Sequence, residues 1–563
     1  MTQTFDTDVL VAGAGPVGLT LAMSLAARGL KVTLAEPRRY AEPPSVKSNH
    51  VSARSMEVFR RLGVAQKVRS RGLPEDYPND VVFRTTMTGT ELTRIAIPCR
   101  RDRYIDTSGP DGWWPTPEPP HRINQSYLEP ILLEHTAALP GVTLLNRTRV
   151  TGFTQDAGGV RADLEDLDSE ATRSLRARYL VGCDGGSSTI RTAMGTRLEG
   201  TAVIQRVQST YVRAPQLRGM IPGKLAWSTY AVNPRRCGTV FAVDGRETWL
   251  IHNHLNPTEP DFDSVDRDQS IRSILGVGGD FAYDIISKED WVGRRLVAQR
   301  FRNGRVFIAG DAAHLWVPYA GYGMNAGIAD ATHLAWLLAA CLEGWADEGI
   351  LDAYEAERLP ITEQVSHFAM DHAQKMIRAR GAVPPDIEAP GPAGDAVRAQ
   401  AGREAYELNV QQFCCAGLNF GYYYTGSQLI VADDEAPPAY TMGSFTPSTV
   451  PGCRVPHFWL ADSRSLCDAF GPGYTLLRFD RRVDVAPLVE AAEARRMPLL
   501  VLDAVARDTL PEAYRHKLVL CRADQHVAWR GDHLPAQAAA LVERLRGAPL
   551  LSPTGSPNGA LSS

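Results

Sequence analysis

The chain has 563 residues, is 44% hydrophobic and carries a formal net charge of −4, with an isoelectric point near 6.4. That length predicts more than one domain with sizeable cores, and the slightly acidic balance argues against nucleic acid or an anionic membrane as a partner. The nine cysteines are scattered with no C-x-x-C and no metal-ligand spacing, which predicts free thiols in a reducing cytoplasm and no metal site.

Met1 to Thr7 has no basic region, and the apolar stretch that follows is broken by glycines and a proline, so it reads as strand and helix, not as a signal peptide or membrane span. Val9 to Ala12 is an apolar run that feeds Gly13-x-Gly15-x-x-Gly18. A helix is predicted from Pro16 to Arg28, stopping at Gly29, and a second strand from Lys31 to Leu34 leads to Glu36. Gly13 suits the tight turn, Gly15 the approach of a pyrophosphate, and Gly18 close packing of helix on strand. The N–H groups and dipole of the helix start favour phosphates, and Glu36 is placed to accept from ribose hydroxyls. This strand–turn–helix–strand–acid order predicts a dinucleotide site.

Further along, Ser52 to Leu62 has helical spacing of apolar residues, and residues 75–120 read as irregular or edge-strand structure. Ser126 to Ala138 is a predicted helix with Ser126 as cap and Glu129 three residues on. Ala177 to Val181 is a short buried strand leading into Cys183 to Arg191. Residues 203–255 alternate polar and apolar around Asp244-Gly245, a hairpin signal that predicts an antiparallel sheet. The βαβ style resumes at Arg305 to Asp311, followed by a helix over 326–342. Residues 379–395 are expected to form an exposed loop or linker, with a second break near Asp433 to Pro438. Strand 474–479, helix 485–495, strand 499–503, a hairpin-like 517–529 and helix 534–546 then give a thioredoxin-like β-α-β-β-α order. The last dozen residues have a disordered composition. No internal repeat is evident.

Asp184-Gly185 and Gly310-Asp311, each ending an apolar strand, join the N-terminal glycines in an order that resembles the single-component FAD-dependent aromatic hydroxylases of the para-hydroxybenzoate hydroxylase type. The likeness extends to Ala309 to His314, then Pro318, Gly321, Gly323 and Asn325, then Asp330 and Leu334 to Trp336. Arg54 to Glu57, Gln125 with Leu128 and Glu129, and Tyr354 to Arg358 with Pro360 also match. Pro451 to Leu460 and Val519 to Arg530 resemble the thioredoxin-like tail of the phenol and polyketide hydroxylase branch; without C-x-x-C it is read as structural.

The resemblance implies an α/β protein. A Rossmann-like FAD-binding domain (1–75, 103–200, 290–375) carries an inserted antiparallel-sheet substrate domain (76–102, 201–289). A helical or linker region (376–437), a thioredoxin-like domain (438–549) and a disordered tail (550–563) follow. It implies FAD as cofactor and NADPH or NADH as co-substrate, with O2 adding at flavin C4a and oxygen passing to an electron-rich ring. Gly13, Ala14, Gly15, Pro16, Val17 and Gly18 would cradle the pyrophosphate and Glu36 would hold the ribose. Arg38 either covers the adenine side or is a solvated loop charge.

By the same resemblance Gly310 and Asp311 would meet the ribityl chain. The helix opened by Gly321, Gly323, Met324 and Asn325 would aim its N-terminal dipole at the flavin's pyrimidine edge. Gln125 would reach the ribityl or phosphate region; Arg122 would do so too or be a surface charge. Asp184 shapes a turn near the cofactor. Lys47 stands where relatives often carry arginine, keeping the charge without the bidentate fork. Pro318 would line the pocket where oxygen reacts, and Asn49 and His50 share the loop that can handle the substrate hydroxyl, His50 otherwise making a loop hydrogen bond.

Trp227, Tyr230, Phe241, Trp249 and His252 are candidate pocket walls or core. No arginine cluster for a carboxylate is evident, so a neutral phenol or polycyclic phenol is expected, in a monomer or homodimer. Trp113-Trp114-Pro115 is not the tryptophan motif of flavin-dependent halogenases; a non-hydroxylating flavoprotein that shares the FAD motifs is the alternative.

Overall fold

A computed structural model describes residues 4–46 and 48–549. The expectations for Lys47 and for the 550–563 tail fall outside the described residues. The chain divides into two compact units: one holds residues up to Ala335 with Arg358–Tyr422 and Pro438–Thr446, the other Trp336–Glu357, Tyr423–Pro437 and the chain from Pro447.

In the first unit Thr7–Ala12 lies between Val32–Glu36 and Thr172–Gly182, parallel to both, and Val306–Ile308 runs parallel to the end of the latter. Val9, Leu10 and Val11 are fully buried, as expected for a parallel strand covered on both faces, where an unbroken apolar run replaces alternation. Register pairs Ala12 with both Ala35 and Gly182, and Gly182 with Ile308. The turns after these strands, carrying Gly13, Asp184 and Gly310, therefore emerge side by side at the carboxyl edge, where open α/β sheets bind ligands.

A second, nine-stranded sheet lies in the same unit. Ser228–Ala231, Gly238–Ala242, Thr248–His254 and the long Leu198–Arg213 strand are successive antiparallel neighbours, and the Asp244-Gly245 hairpin forms as expected. Register puts Tyr230, Thr239, His252 and Ser209 in one row on one face. Val46 and Tyr127 pack with Phe241, Leu250 and Tyr211 of that face. On the opposite face Val240, Trp249 and Ile251 form a core with Ile271 and Ile274 of the helix Arg267–Leu275, which Asp266 caps and a left-handed Gly276 ends. Within 75–120, Val81–Arg84 is a buried inner strand of this sheet; only Glu91–Ile95 is at its edge.

Several helix boundaries differ from expectation: Pro16–Ala26 ends two residues early and Ala538–Leu545 starts four residues late. Gln125–Ala137 is capped by Asn124, whose side chain accepts from the Ser126 N–H. Tyr322–Leu342 begins four residues early, with Gly323 inside its first turn. Residues 379–395 are not one loop: Asp352–Gly381 continues into the stretch and Gly391–Phe413 starts within it, with proline in its first turn.

The second unit has a four-stranded sheet in the order Leu499–Asp503, Tyr474–Arg478, Leu518–Cys521, Val527–Gly531, the first pair parallel and the others antiparallel. With helices Ala486–Ala494 and Ala538–Leu545 this is the β-α-β-β-α order expected. Fully buried Arg522 donates to both Glu357 oxygens at 2.6 and 2.7 Å and to Asp524 at 2.6 Å. None of the nine cysteines, all among the described residues, forms a disulfide. Among the described residues no helix is long and apolar enough to cross a membrane.

Candidate active site

The three glycines of the first turn divide their work. Gly13 takes a φ of +101°, and a Cβ there would stand 2.4 Å from the Cys183 carbonyl oxygen; a Cβ on Gly18 would stand 2.0 Å from the Gly13 oxygen. These two let strand, turn and helix touch. A Cβ on Gly15 would meet nothing within 4 Å, and the helix Pro16–Ala26 that follows has no side-chain cap. Open space thus lies before uncapped N–H groups, the arrangement that accepts a phosphate. Pro16 occupies the start of the helix, and Val17 packs against Gly310 and Gly327, where a Cβ would approach its methyl carbon to 2.9 and 2.6 Å.

Glu36 accepts from the Ala14 N–H at 2.7 Å and from Arg38 Nε at 2.8 Å; Arg38 Nη1 donates to Glu129 at 2.6 Å, and Gln125 Nε2 to the other Glu129 oxygen at 2.9 Å. Arg38 is therefore a bridge between two carboxylates and not a solvated loop charge. Burial pushes the Glu36 pKa up, but the Arg38 hydrogen bonds and charge outweigh it and hold it below the ordinary range. The Gln125 N–H donates to the Ser48 carbonyl at 2.7 Å, and Asn124 Nδ2 holds both the Val46 carbonyl and Asn49 Oδ1, at 2.9 and 2.6 Å. Asn124 thereby ties Val46 and Asn49 to this helix.

The third motif is held by a buried carboxylate. Gly310 has a φ of +60°, and its N–H donates to Asp330 at 3.2 Å; Asp330 also accepts from His314 Nε2 at 2.7 Å and Arg358 Nε at 2.8 Å. Burial alone would raise the Asp330 pKa, yet Arg358 and His314 bring it down to about 2. Asp311 is left exposed between buried Gly310 and Ala312. Asp184 accepts from Ser188 Oγ at 2.5 Å and the Ile190 N–H at 3.2 Å, and Arg191 ties the neighbouring Gly186 carbonyl to that of Ala312 at 2.8 and 3.0 Å.

At the start of Tyr322–Leu342, Gly321 has a φ of +58° and a Cβ on it would stand 3.1 Å from His50. Asn325 Nδ2 donates to the His50 and Gly321 carbonyls at 3.2 and 2.5 Å, and Asn325 Oδ1 accepts from the Ser52 N–H at 2.9 Å. His50 Nδ1 lies 2.6 Å from Arg122 Nη1. Arginine only donates, so Nδ1 accepts and the His50 proton sits on Nε2. Burial first, then the charges of Arg122 and Arg103, holds the His50 pKa well below its usual value, so the ring is neutral. The Arg122 guanidinium also lies 4.0 Å from the Trp227 ring centroid, and burial lowers its own pKa to about 10. Arg103 pairs with buried Asp111, whose carboxyl is raised to about 6 by burial against the two arginines. Pro318 is exposed, and Gly323 and Met324 are half-buried in the helix's first turn.

Residues 6–369 match the family described as FAD binding domain, and residues 448–549 the one described as aromatic-ring hydroxylase, C-terminal. The chain belongs to the FAD-dependent aromatic-ring hydroxylases. The hydroxylase is 32% identical over 561 residues to aklavinone 12-hydroxylase RdmE of Streptomyces purpurascens, covering 96% of this chain and 98% of that one. It is 30% identical over 506 residues to the FAD-dependent monooxygenase opdD of Penicillium oxalicum, covering 85% and 95%. Among solved structures it is similar to the rebeccamycin biosynthetic enzyme RebC with reduced flavin (TM-score 0.87, 34% identity, 97% and 99% covered). It is also similar to aklavinone-11 hydroxylase in a ternary complex with FAD and aklavinone (TM-score 0.78, 28% identity, 97% and 99% covered).

FAD fits what the hydroxylase offers: open space at Gly15 before an uncapped helix, an exposed carboxylate at Asp311, and a second helix start at Gly321. Arg122 is not the surface charge that the sequence left as its alternative, since it is buried against Trp227 and His50. The Asp330, His314 and Arg358 network carried a sequence signal, since all three fall in family motifs, but no spacing rule says that they meet.

Proposed function

We propose that this hydroxylase inserts one atom of O2 into a phenolic, polycyclic aromatic ring with NADPH or NADH as reductant: ArH, NAD(P)H, H+ and O2 give ArOH, NAD(P)+ and water. Bound FAD would supply the hydride acceptance and oxygen activation that side chains lack. The chain's own residues bind and orient. Gly13, Ala14, Gly15, Pro16, Val17 and Gly18 cradle the pyrophosphate, with Glu36, Arg38 and Gln125 organising the adenosine and ribityl sides. Asp311 takes ribityl hydroxyls, Asp184 and Gly310 shape the adjoining turns, and Gly321, Gly323, Met324 and Asn325 present the helix dipole to the ring. Pro318 walls the reacting side, and Lys47, three residues before His50 in the sequence, supplies a positive charge for the cofactor.

One observation carries the reading: a neutral, buried His50, fixed by Arg122 against the start of that helix. With Nδ1 occupied, His50 is a donor through Nε2 and not a general base. It stabilises the substrate's ionised hydroxyl, which makes the ring electron-rich ortho and para to it. Relatives named for aklavinone and for 2,4-dichlorophenol oxygenation support an aromatic substrate. We assign residues 1–75, 103–200 and 290–375 to FAD, 76–102 and 201–289 to the substrate, 376–437 to a helical connection and 438–549 to a structural tail. The protein works in the cytoplasm as a monomer or homodimer, in keeping with its free thiols. His50→Ala is expected to lower hydroxylated product roughly ten- to hundred-fold, the loss of one hydrogen bond to a charged oxygen. Flavin reduction by NAD(P)H should persist in that variant. Unchanged product formation would reduce His50 to a loop contact.

A further inference from the structure

The face of the nine-stranded sheet that carries His252 and Ser209 holds a polar group with no use in the scheme above. Gln205, on Leu198–Arg213, is 6% exposed, and its Nε2 has no hydrogen-bond partner among the described residues. Arg380, in the last turn of Asp352–Gly381, likewise has a buried Nη2 without one, and His254 a buried Nδ1. The Tyr319 hydroxyl connects them, lying 3.5 Å from both Gln205 Oε1 and Arg380 Nη1. Tyr319 belongs to the turn Tyr319–Gly321, directly before the helix that holds His50. The positive charge of Arg380 bears on His254, and together with that of Arg122 it bears on Tyr230 of the same face.

A buried guanidinium N–H or amide N–H left without an acceptor costs about 1–3 kcal/mol each. Here two such donors, an arginine and a glutamine, come from remote segments to one place beside the turn Tyr319–Gly321. Such a group is completed by a ligand that only accepts hydrogen bonds and carries negative charge. A carboxylate matches on both counts, and its two oxygens suit the fork of a guanidinium.

We propose that the aromatic substrate carries a carboxylate, and that Arg380, with the Gln205 amide and His254 beside it, receives that group. Arg380 is then a specificity-determining residue that orients the ring with its hydroxyl toward His50 and Arg122. A neutral phenol lacks the partner these donors require. The inference rests on the aromatic-substrate reading, but its test reads binding and not oxygenation.

The FAD-loaded, full-length protein is titrated calorimetrically near neutral pH with benzoate, 2-naphthoate and anthraquinone-2-carboxylate, each against its own primary carboxamide. At least one acid should bind roughly ten-fold or more tighter than its amide, the scale of a charge-assisted hydrogen bond. Arg380→Met should abolish that preference while leaving amide affinity within about two-fold, and Arg380→Lys, which keeps charge but loses the fork, should retain part of it. The proposal is overturned if no acid outbinds its amide, whether both bind or neither does, or if the preference survives in Arg380→Met. Should Arg380→Met not fold, the wild-type comparison and Arg380→Lys still decide. Acid preference without hydroxylation would fault the oxygenation reading and leave this one standing.

Discussion

Gly15→Val separates the binding of FAD from the stability of the fold. Gly15 sits at φ −74° and ψ 179°, backbone that valine adopts without strain, and a Cβ there meets no atom of the chain within 4 Å. Valine is a poorer cap than glycine by about 1 kcal/mol, and restricting the unfolded chain returns about 0.4–1 kcal/mol, so the apoprotein should melt close to wild type. The isopropyl group would instead fill the space before the helix N–H groups. Displacing a phosphate from two of them removes about 1.5–3 kcal/mol each, about 3–6 kcal/mol in all, or roughly a hundred- to ten-thousand-fold in affinity. Gly18→Ala is the converse: its Cβ would stand 2.0 Å from the Gly13 oxygen, so folding itself should suffer. Apoprotein is titrated with FAD, followed by flavin fluorescence, alongside thermal melts of both variants. Wild-type FAD affinity in Gly15→Val would refute the reasoning.

Asp330, with its pKa lowered to about 2, contributes stability that is fully present above about pH 4 and is lost as pH falls through about 2; the shift is worth about 2 kcal/mol. Asp330→Asn should cost about 3 kcal/mol or more at neutral pH by removing the carboxylate from buried Arg358, and the gap to wild type in urea melts should narrow below about pH 4. A gap that stays constant into acid would show that Asp330 is not the titrating group. In the C-terminal unit, Cys467 and Cys521 form no disulfide, and burial pushes the Cys521 thiol well above its usual pKa. Cys467→Ser with Cys521→Ser should leave NAD(P)H-driven flavin reduction and product formation intact, since exchange chemistry needs a thiolate. Loss of turnover at full FAD content would make that unit a redox partner.

The glycine turn was legible because each step in it is local: an apolar run, a tight turn and a helix start lie in one stretch of sequence. The order of the thioredoxin-like tail was legible for the same reason. Helix ends were less so. Asn124 takes the cap expected of Ser126, its side chain accepting from the Ser126 N–H while donating to the Val46 carbonyl. Gly391 with Pro392 opens a helix where composition alone suggested a linker. What sequence could not give is convergence. Arg122 reads equally as a surface charge until the fold sets it between His50 and Trp227. Arg380 and Gln205 lie in different elements with no motif between them, and a pair of donors that meets only in space leaves no run to find.

The central claim, oxygenation of an aromatic ring, is tested most directly by the origin of the product oxygen. The FAD-loaded protein is incubated with NADPH or NADH, a panel of phenols and hydroxy-aromatic acids, and isotopically labelled dioxygen in unlabelled water. The account predicts a hydroxylated product that carries one labelled oxygen. Product oxygen drawn from water, or consumption of NAD(P)H and O2 that yields only hydrogen peroxide across the whole panel, would contradict it.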